Sequence, residues 1–283
     1  LQVGATEIGQ GADTVFSQMA AETLHMDISR VHIVTQQDTD VTPFDTGAYA
    51  SRQSFVTGTA VKECAQQLKQ KILEYARTLV PGNVDRLELE DGYILADGKP
   101  AISLEELAME SYYSLSNSSV LTAEVSRQVK KNTVASGCCF AEVEVDLKLG
   151  KIKVLDIVNV HDSGTLLNPQ LAAMQVHGGM SMGMGYGLSE QLLIDEKTGR
   201  PLNGTLLDYN MMTMMDTPDL TAEFVELNDP MGPYGNKALG EPPAIPGAPA
   251  IRNAVLHATG IGFSEIPLTP QRLIDGFTKA GLI

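Results

Sequence analysis

Gly179, Gly183 and Gly187 recur every fourth residue in a segment that opens with Asn168-Pro169 and stays largely apolar to Leu188. Asparagine is a favoured helix N-cap and proline a favoured first helical residue, so the pair predicts a helix from Pro169 to about Leu188. With Gly178 and Gly185 the segment holds five glycines. Each costs about 1 kcal/mol relative to alanine inside a helix, so a compensating gain is needed that only bare backbone permits. The i, i+4, i+8 spacing lays three of them along one face, where another backbone or a flat ligand can come close. Taken alone, tight helix packing accounts for this stripe. A membrane span does not suit it, because Gln175 and His177 interrupt the segment and Glu190 bounds it.

Around this helix the pattern mixes strands and helices without regular βαβ repetition, which predicts an α+β fold. Phe140 to Leu147 alternates at period two, turns at Gly150 and returns through Ile152 to Val160 as a β-ribbon. Near the start, Gly9 and Gly11 lead into a predicted helix from Ala12 to Met26, with Val15, Met19, Ala20 and Thr23 on one face. A short strand is expected at Val31 to Thr35, then a loop at Thr46 to Gln53 and a helix from about Phe55 to Thr78 that Pro81 and Gly82 stop. Asp91-Gly92 suits a type I′ turn between Leu87–Glu90 and Tyr93–Ala96, and Ser103 with Glu106 forms a capping box. Further on, a hairpin is expected around Lys197 to Arg200, a strand at Thr221 to Leu227, a helix from Ala250 to about Ala258, and a last helix capped by Thr269-Pro270. The polar, aperiodic stretch Ser114 to Thr133 is the expected joint between two mixed lobes. Residues 1–133 would carry the glycine turn and the Ala50-Ser51 loop, and residues 134–283 the ribbon, the glycine-rich helix and the Gly240-Glu-Pro-Pro loop.

A formal net charge of −15 argues against nucleic acid, which needs basic neutralisation. No basic stretch precedes an apolar run at the start, so the chain reads as cytoplasmic, and its opening at Leu1 without a methionine suggests a fragment or processed product. Cys64, Cys138 and Cys139 form no CxxC pair and are expected to be buried small apolar residues. An iron-sulfur cluster needs about four thiolates, so any electron relay is expected on a partner. His25, His32, His161, His177 and His257 are isolated, which predicts no protein-ligated zinc. The methionines at 180, 182, 184, 211, 212, 214 and 215 are expected to fill core or interface. No Walker loop is present.

Two features could carry chemistry. Gly9-Gln10-Gly11 can expose backbone N–H groups at a helix start, a place that favours the oxygen anions of a phosphate or pterin ligand. A GxG turn is more often only a turn, and Thr14 stands where a dinucleotide fingerprint would place its third glycine. Glu241 lies between Gly240 and Pro242-Pro243, a way to fix a carboxylate on a stiff loop. Most loop glutamates are solvated surface groups, and alone this one would be read so.

Gly4-Ala-Thr-Glu-Ile-Gly-Gln-Gly, Gly47-Ala-Tyr-Ala-Ser-Arg, Asp162-Ser-Gly-Thr-Leu-Leu-Asn-Pro, Gln175-Val-His-Gly-Gly and Lys237-Ala-Leu-Gly-Glu-Pro-Pro occur in one order. In that order they resemble the C-terminal molybdopterin-binding region of the xanthine dehydrogenase family of molybdenum hydroxylases. The likeness spans nearly the whole chain and is nearest to bacterial purine hydroxylases and the medium molybdopterin subunit of nicotinate dehydrogenase. It implies the second molybdopterin-binding domain of such an enzyme. Gly9, Gln10, Gly11, Ala50, Ser51, Gln175 and Gly240 would contact the cofactor, with the Ala50 backbone N–H near a molybdenum oxygen ligand and no side chain ligating the metal.

The resemblance further implies oxidation of a carbon beside nitrogen in a purine or nicotinate type heterocycle, using water-derived oxygen. Glu241 would be the base towards Mo–OH, with hydride passing to a sulfido or selenido ligand. Molybdopterin, in the cytosine dinucleotide form, would be the cofactor. A large molybdopterin subunit, a 2Fe-2S subunit and an FAD subunit would be the partners, completing the active site and carrying electrons away. The family's substrate-clamping arginine, glutamine and phenylalanine belong to a region outside the match, and Tyr49 stands where animal relatives commonly have a small residue. A noncatalytic subunit that retains the cofactor cradle is the alternative reading, and an unrelated dinucleotide-binding protein a third.

Overall fold

In the computed structural model every residue except 35 is described, and the chain divides into two units. The first comprises Leu1–Asn132 with Pro230–Pro233, and the second Thr133–Asp229 with Tyr234–Ile283.

In the first unit, α1 (Ala12–Leu24) starts at Gly11, whose φ of 86° is a left-handed conformation open to glycine. It buries Val15, Phe16, Met19, Ala20 and Leu24 and packs on α2 (Gln53–Leu79). Helix α2 presents Val61, Ala65, Ile72 and Ala76 inward at helical spacing. Strands β1 (Leu87–Glu90), β2 (Tyr93–Ala96) and β3 (Lys99–Ser103) form an antiparallel sheet in that order. Asp91 and Gly92 have φ of 45° and 79°, as the I′ turn requires. The capping box at α3 (Leu104–Tyr113) is complete, Ser103 accepting from the Glu106 N–H and Glu106 from the Ser103 N–H. Leu24, Ile72, Ala76, Leu89, Ile94 and Leu107 close the core of this unit.

The second unit is built on β4 (Ser136–Asp146) and β5 (Lys151–Asp162), antiparallel with Phe140 opposite Val158 and a bulge at Glu142/Val143. Strand β6 (Leu220–Phe224) adds to β5 in parallel. Helix α4 (Pro169–Leu188) begins as expected, with Asn168 Oδ1 accepting from the Leu171 N–H at 3.0 Å. It is apolar on two faces. Val176, Met180 and Met184 meet Val154 and Ile157 of β5 in the core. The other face is the glycine stripe, and what approaches it is backbone. A Cβ on Gly179 would lie 2.6 Å from Pro243 Cβ and 2.9 Å from Ala244 N, and one on Gly183 3.1 Å from Ala244 O and Gly247 Cα. Gly187 likewise faces Ala248. The stripe therefore seats the loop after Glu241 and the start of α5 (Gly247–Thr259). Helix α6 (Pro270–Lys279), capped by Thr269, closes a smaller core of Val255, Leu268, Leu273 and Phe277.

That loop is tied down from the strand side as well. Lys237 Nζ donates to Asp162 Oδ2 at 2.6 Å, the side chains being only 10% and 9% exposed. The Lys237 N–H donates to Ser163 O at 2.7 Å, and buried Asn159 Nδ2 donates to Pro243 O at 3.0 Å. Burial pushes the Asp162 carboxyl up, but the Lys237 ammonium and the N–H groups of Gly164 and Leu227 outweigh it and hold the group below its ordinary value.

Several expectations are corrected. Of the strand expected at Val31 to Thr35, the described residues show one parallel bridge, from Val34 to Gln2, and Thr35 lies outside the described residues. A β-branched run becomes a strand only where a neighbour supplies a ladder. The hairpin around Lys197 is present but short: Ile194 and Pro201 form an antiparallel bridge, the Asp195 N–H donates to Arg200 O at 2.9 Å and the Leu202 N–H to Leu193 O at 2.7 Å, and Asp195 Oδ1 accepts from the N–H groups of Lys197 and Thr198 in the turn. Strand β3 has no clear signal in the sequence, since Pro100 masks its pattern. Cys138 is exposed and Cys139 only half-buried, because β4 leaves much of its surface open, and Cys64 on α2 is half-buried. Met180 and Met184 are core residues, whereas Met214 and Met215 are 94% exposed.

Two outcomes follow from this packing. Gly179→Val should destabilise the protein by about 1–3 kcal/mol through overpacking, more than the helix-propensity gain, as read by the denaturant midpoint. An unchanged midpoint contradicts the close approach. Lys237→Met should cost on the order of 3 kcal/mol at pH 7 by leaving Asp162 buried and unpaired. Because Asp162 titrates low in the native state, its contribution is complete above about pH 4 and is lost as pH falls through its depressed native value. The gap between wild type and variant should therefore narrow below about pH 4, and a gap constant down to pH 2 contradicts the pairing.

Candidate functional site

In the first unit the two motifs expected to hold the cofactor are joined to one another. Ala50 and Ser51, at φ of 53° and 50°, are consecutive non-glycine residues in the left-handed region. Each such residue costs about 1–3 kcal/mol and persists only where its surroundings hold it. Asp45 and Arg52 do the holding: Arg52 Nη1 donates to both carboxylate oxygens at 2.9 and 3.1 Å and to Gly47 O at 3.2 Å. Asp45 also accepts from the Gly47 N–H and the Thr57 hydroxyl. Tyr49 is exposed, with the Arg52 guanidinium over its ring at 5.9 Å. Ala50 is exposed and Ser51 half-buried.

Directly after the loop, Gln53 is 6% exposed at the start of α2. Its Oε1 accepts from Gln10 Nε2, and both amides donate to Thr6 O, at 3.1 Å from Gln53 and 3.0 Å from Gln10. Gln10 Oε1 accepts from the Ile8 N–H at 2.7 Å. The glycine turn and the Ala50-Ser51 loop are thus held in register through two glutamines. One expectation about the turn does not survive. Its N–H groups are not displayed to a ligand, because Glu7 Oε1 accepts from Gly9 and Gly11 at 2.7 and 3.0 Å and Oε2 from Asp13 at 3.0 Å.

In the second unit Glu241 is exposed at the head of a 3₁₀ turn, Pro242–Ala244, that follows exposed Gly240. The turn closes with the Ala244 N–H donating to Glu241 O at 3.0 Å. The peptide immediately after the carboxylate is clamped by Gly179 and Asn159, and the segment before it by Lys237. Gln175 is half-buried one turn before Gly179, on the α4 face that receives this loop. Among the described residues no protein group bonds its side-chain amide, which leaves it able to bind a ligand. The structure places Gln175, Gly240 and Glu241 on adjoining elements.

Sequence reasoning missed Glu7, Gln53, Asn159 and the Asp162–Lys237 pair. Only Glu7 had a local signal, an acidic residue two positions ahead of a positive-φ glycine. The residues present fit a pterin cofactor better than a free anion. The turn that would cradle an anion is filled by Glu7, while strained exposed backbone at Ala50-Ser51 and the amide of Gln175 supply polar contacts of the kind an organic ring system uses.

Residues 1–218 match the family model of the molybdopterin cofactor-binding domain. The chain is 50% identical to the putative xanthine dehydrogenase molybdenum-binding subunit XdhA of Escherichia coli K12, over all of this chain and 38% of that protein. Among solved structures it resembles the Cu,Mo-CO dehydrogenase, with a TM-score of 0.87 at 26% identity over 99% of this chain and 36% of that one. Quinoline 2-oxidoreductase from Pseudomonas putida 86 gives 0.85 at 26% identity over 97% and 36%. The chain spans well under half of each of these relatives. The expected resemblance is borne out, as is the α+β class, and the chain belongs to the molybdopterin cofactor-binding domain family, among the molybdenum-binding proteins of the xanthine dehydrogenase type.

Proposed function

We propose that this chain is the part of a molybdenum hydroxylase that holds one side of the molybdopterin cofactor and supplies the general base, Glu241. The observation that carries the reading is the treatment of Glu241. The loop around it is clamped by a buried ion pair, a buried asparagine and a glycine-lined helix, while the residue itself stays exposed. A solvated surface glutamate needs no such mounting. A base does, because proton transfer demands a carboxylate within hydrogen-bond reach of the group it deprotonates.

When bound, the molybdenum centre would accept two electrons from the substrate and activate a water-derived oxygen. Glu241 takes up the proton of the attacking hydroxyl on a carboxylate oxygen. Ala50 and Ser51 present backbone to the cofactor, and Gln10, Gln175 and Gly240 line it with Gly9 and Gly11. The substrate class is a small N-heterocycle of purine or nicotinate type, oxidised at a carbon beside nitrogen. Its support is likeness to a putative xanthine dehydrogenase subunit and to quinoline 2-oxidoreductase. The cytosine dinucleotide form of the pterin belongs to the same reading. So do a larger molybdopterin-binding region, 2Fe-2S and FAD on partner chains, and a cytoplasmic location. No helix among the described residues is long and apolar enough to cross a membrane.

In the complete enzyme, Glu241→Gln should keep full molybdenum content while turnover falls by about a thousandfold or more, the scale for losing an essential catalytic group. Turnover within a few-fold of wild type in a fully loaded enzyme contradicts the role.

A further inference from the structure

Helix α2 carries more apolar surface than its own unit covers. Beside the face packed in the core, Val56, Ala60, Cys64 and Leu68 recur every fourth residue, each only half-buried. All four line a cavity of about 1030 Å³. Phe44 and Val41 stand at the same cavity, 84% and 57% exposed. Apolar surface gathered in this way marks a place where another piece of protein packs.

Two strand edges open on that cavity. The first is at Gln2, which bridges Val34 in parallel. Leu1 N donates to His32 O at 2.8 Å, and Leu1 O accepts from the Val34 N–H at 2.9 Å. Backbone groups of successive strand residues point to opposite edges, so those of Gln2 face away from Val34, and among the described residues nothing bonds them. The second edge is Leu121 to Ser126. Leu121, Ala123 and Val125 are half-buried while Thr122, Glu124 and Ser126 are exposed, which is the period of a strand. Lys71 Nζ and Cys64 Sγ of α2 donate to Thr122 O and Ala123 O, at 2.6 and 3.3 Å. Among the described residues nothing accepts from the N–H groups of Ala123, Glu124, Val125 and Ser126. The stretch has a strand's alternation and no ladder.

We propose that this cavity is the seat of an extended β-segment from the larger molybdopterin-binding region, paired with the N–H groups of Ala123 to Ser126. Its alternate apolar side chains rest on Val56, Ala60, Cys64 and Leu68, and it covers Phe44. The proposal rests on the reading above that such a region accompanies these residues. Two features select this occupant. A row of free main-chain donors calls for a chain that brings its own carbonyls along its length, as an added strand does and a helix does not. The matched residues are also only 38% of the molybdenum-binding subunit XdhA of Escherichia coli K12, so more than half of that polypeptide lies outside them and can supply the segment.

The test uses the complete enzyme, with molybdenum measured in the same preparation. Hydrogen exchange resolved to single residues should find the N–H groups of Ala123 to Ser126 at least about a hundredfold slower than in a free peptide, because a ladder bond must open first. A benzophenone side chain in place of exposed Phe44 should, on irradiation, cross-link to the larger molybdopterin-binding region. Exchange within a few-fold of the free peptide overturns the proposal. So does a cross-link to a second copy of these residues or to an iron-sulfur or flavin subunit, and so does the absence of any cross-link. Each of these failures, in an enzyme holding its full molybdenum, leaves the cofactor-binding reading intact.

Discussion

The second unit depends on one close approach, that of the Pro243–Gly247 backbone to the bare face of α4. Three glycines at four-residue spacing let main chain pack at distances where a Cβ would collide. The helix forgoes about 1 kcal/mol at each, and what it obtains is a rigid seat for the peptide that follows Glu241. The seat would be of little use if the loop could slide along it. Asn159 prevents this from the floor of the sheet by holding Pro243 O, and Lys237 prevents it from the other end through its buried pair with Asp162. Buried ion pairs contribute little net stability, and their best-attested use is to fix a register. Here the register fixed is that of a loop ending in a carboxylate.

The first unit solves a related problem by different means. Ala50 and Ser51 hold a conformation that costs energy, and the Asp45–Arg52 pair restrains the loop from which they project. The glycine turn is stabilised by an internal carboxylate, and the two motifs are joined by the amides of Gln10 and Gln53. In both units the residues expected to meet the cofactor are exposed or half-buried, and each set is anchored by buried residues, Gln53 in the first unit and Asn159 and Asp162 in the second. Specificity of position comes from that division of labour.

Features written in local spacing were legible in the sequence. Asn168-Pro169 announced α4, Ser103 and Glu106 announced α3, and Asp91-Gly92 announced the first hairpin, because each motif makes its hydrogen bonds within a few residues. The glycine stripe was legible as a demand for close approach, though not in what would approach. Elements that rely on distant partners were not legible. Val31 to Val34 has the composition of a strand, yet among the described residues its one β-bridge joins Val34 to Gln2. Asp162 and Lys237 are 75 positions apart, and nothing in the sequence couples them. The glycine turn reads as a ligand's place when its N–H groups are counted without asking which acceptor lies nearest. Glu7 is two residues away. Glu241 could be singled out only through the ordered motifs around it, since its own surroundings in sequence are those of an ordinary loop.

The central claim is that the mounting of Glu241 exists to bring a carboxylate to the metal's oxygen ligand. Anomalous diffraction at the molybdenum edge, on crystals of the complete cofactor-loaded enzyme, tests this most directly because it places the metal independently of any assumption about the loop. The account predicts that a Glu241 carboxylate oxygen lies within about 2.6–3.2 Å of an oxygen ligand of the metal. A metal position that leaves the Glu241 carboxylate facing solvent, out of reach of every oxygen ligand, would contradict it.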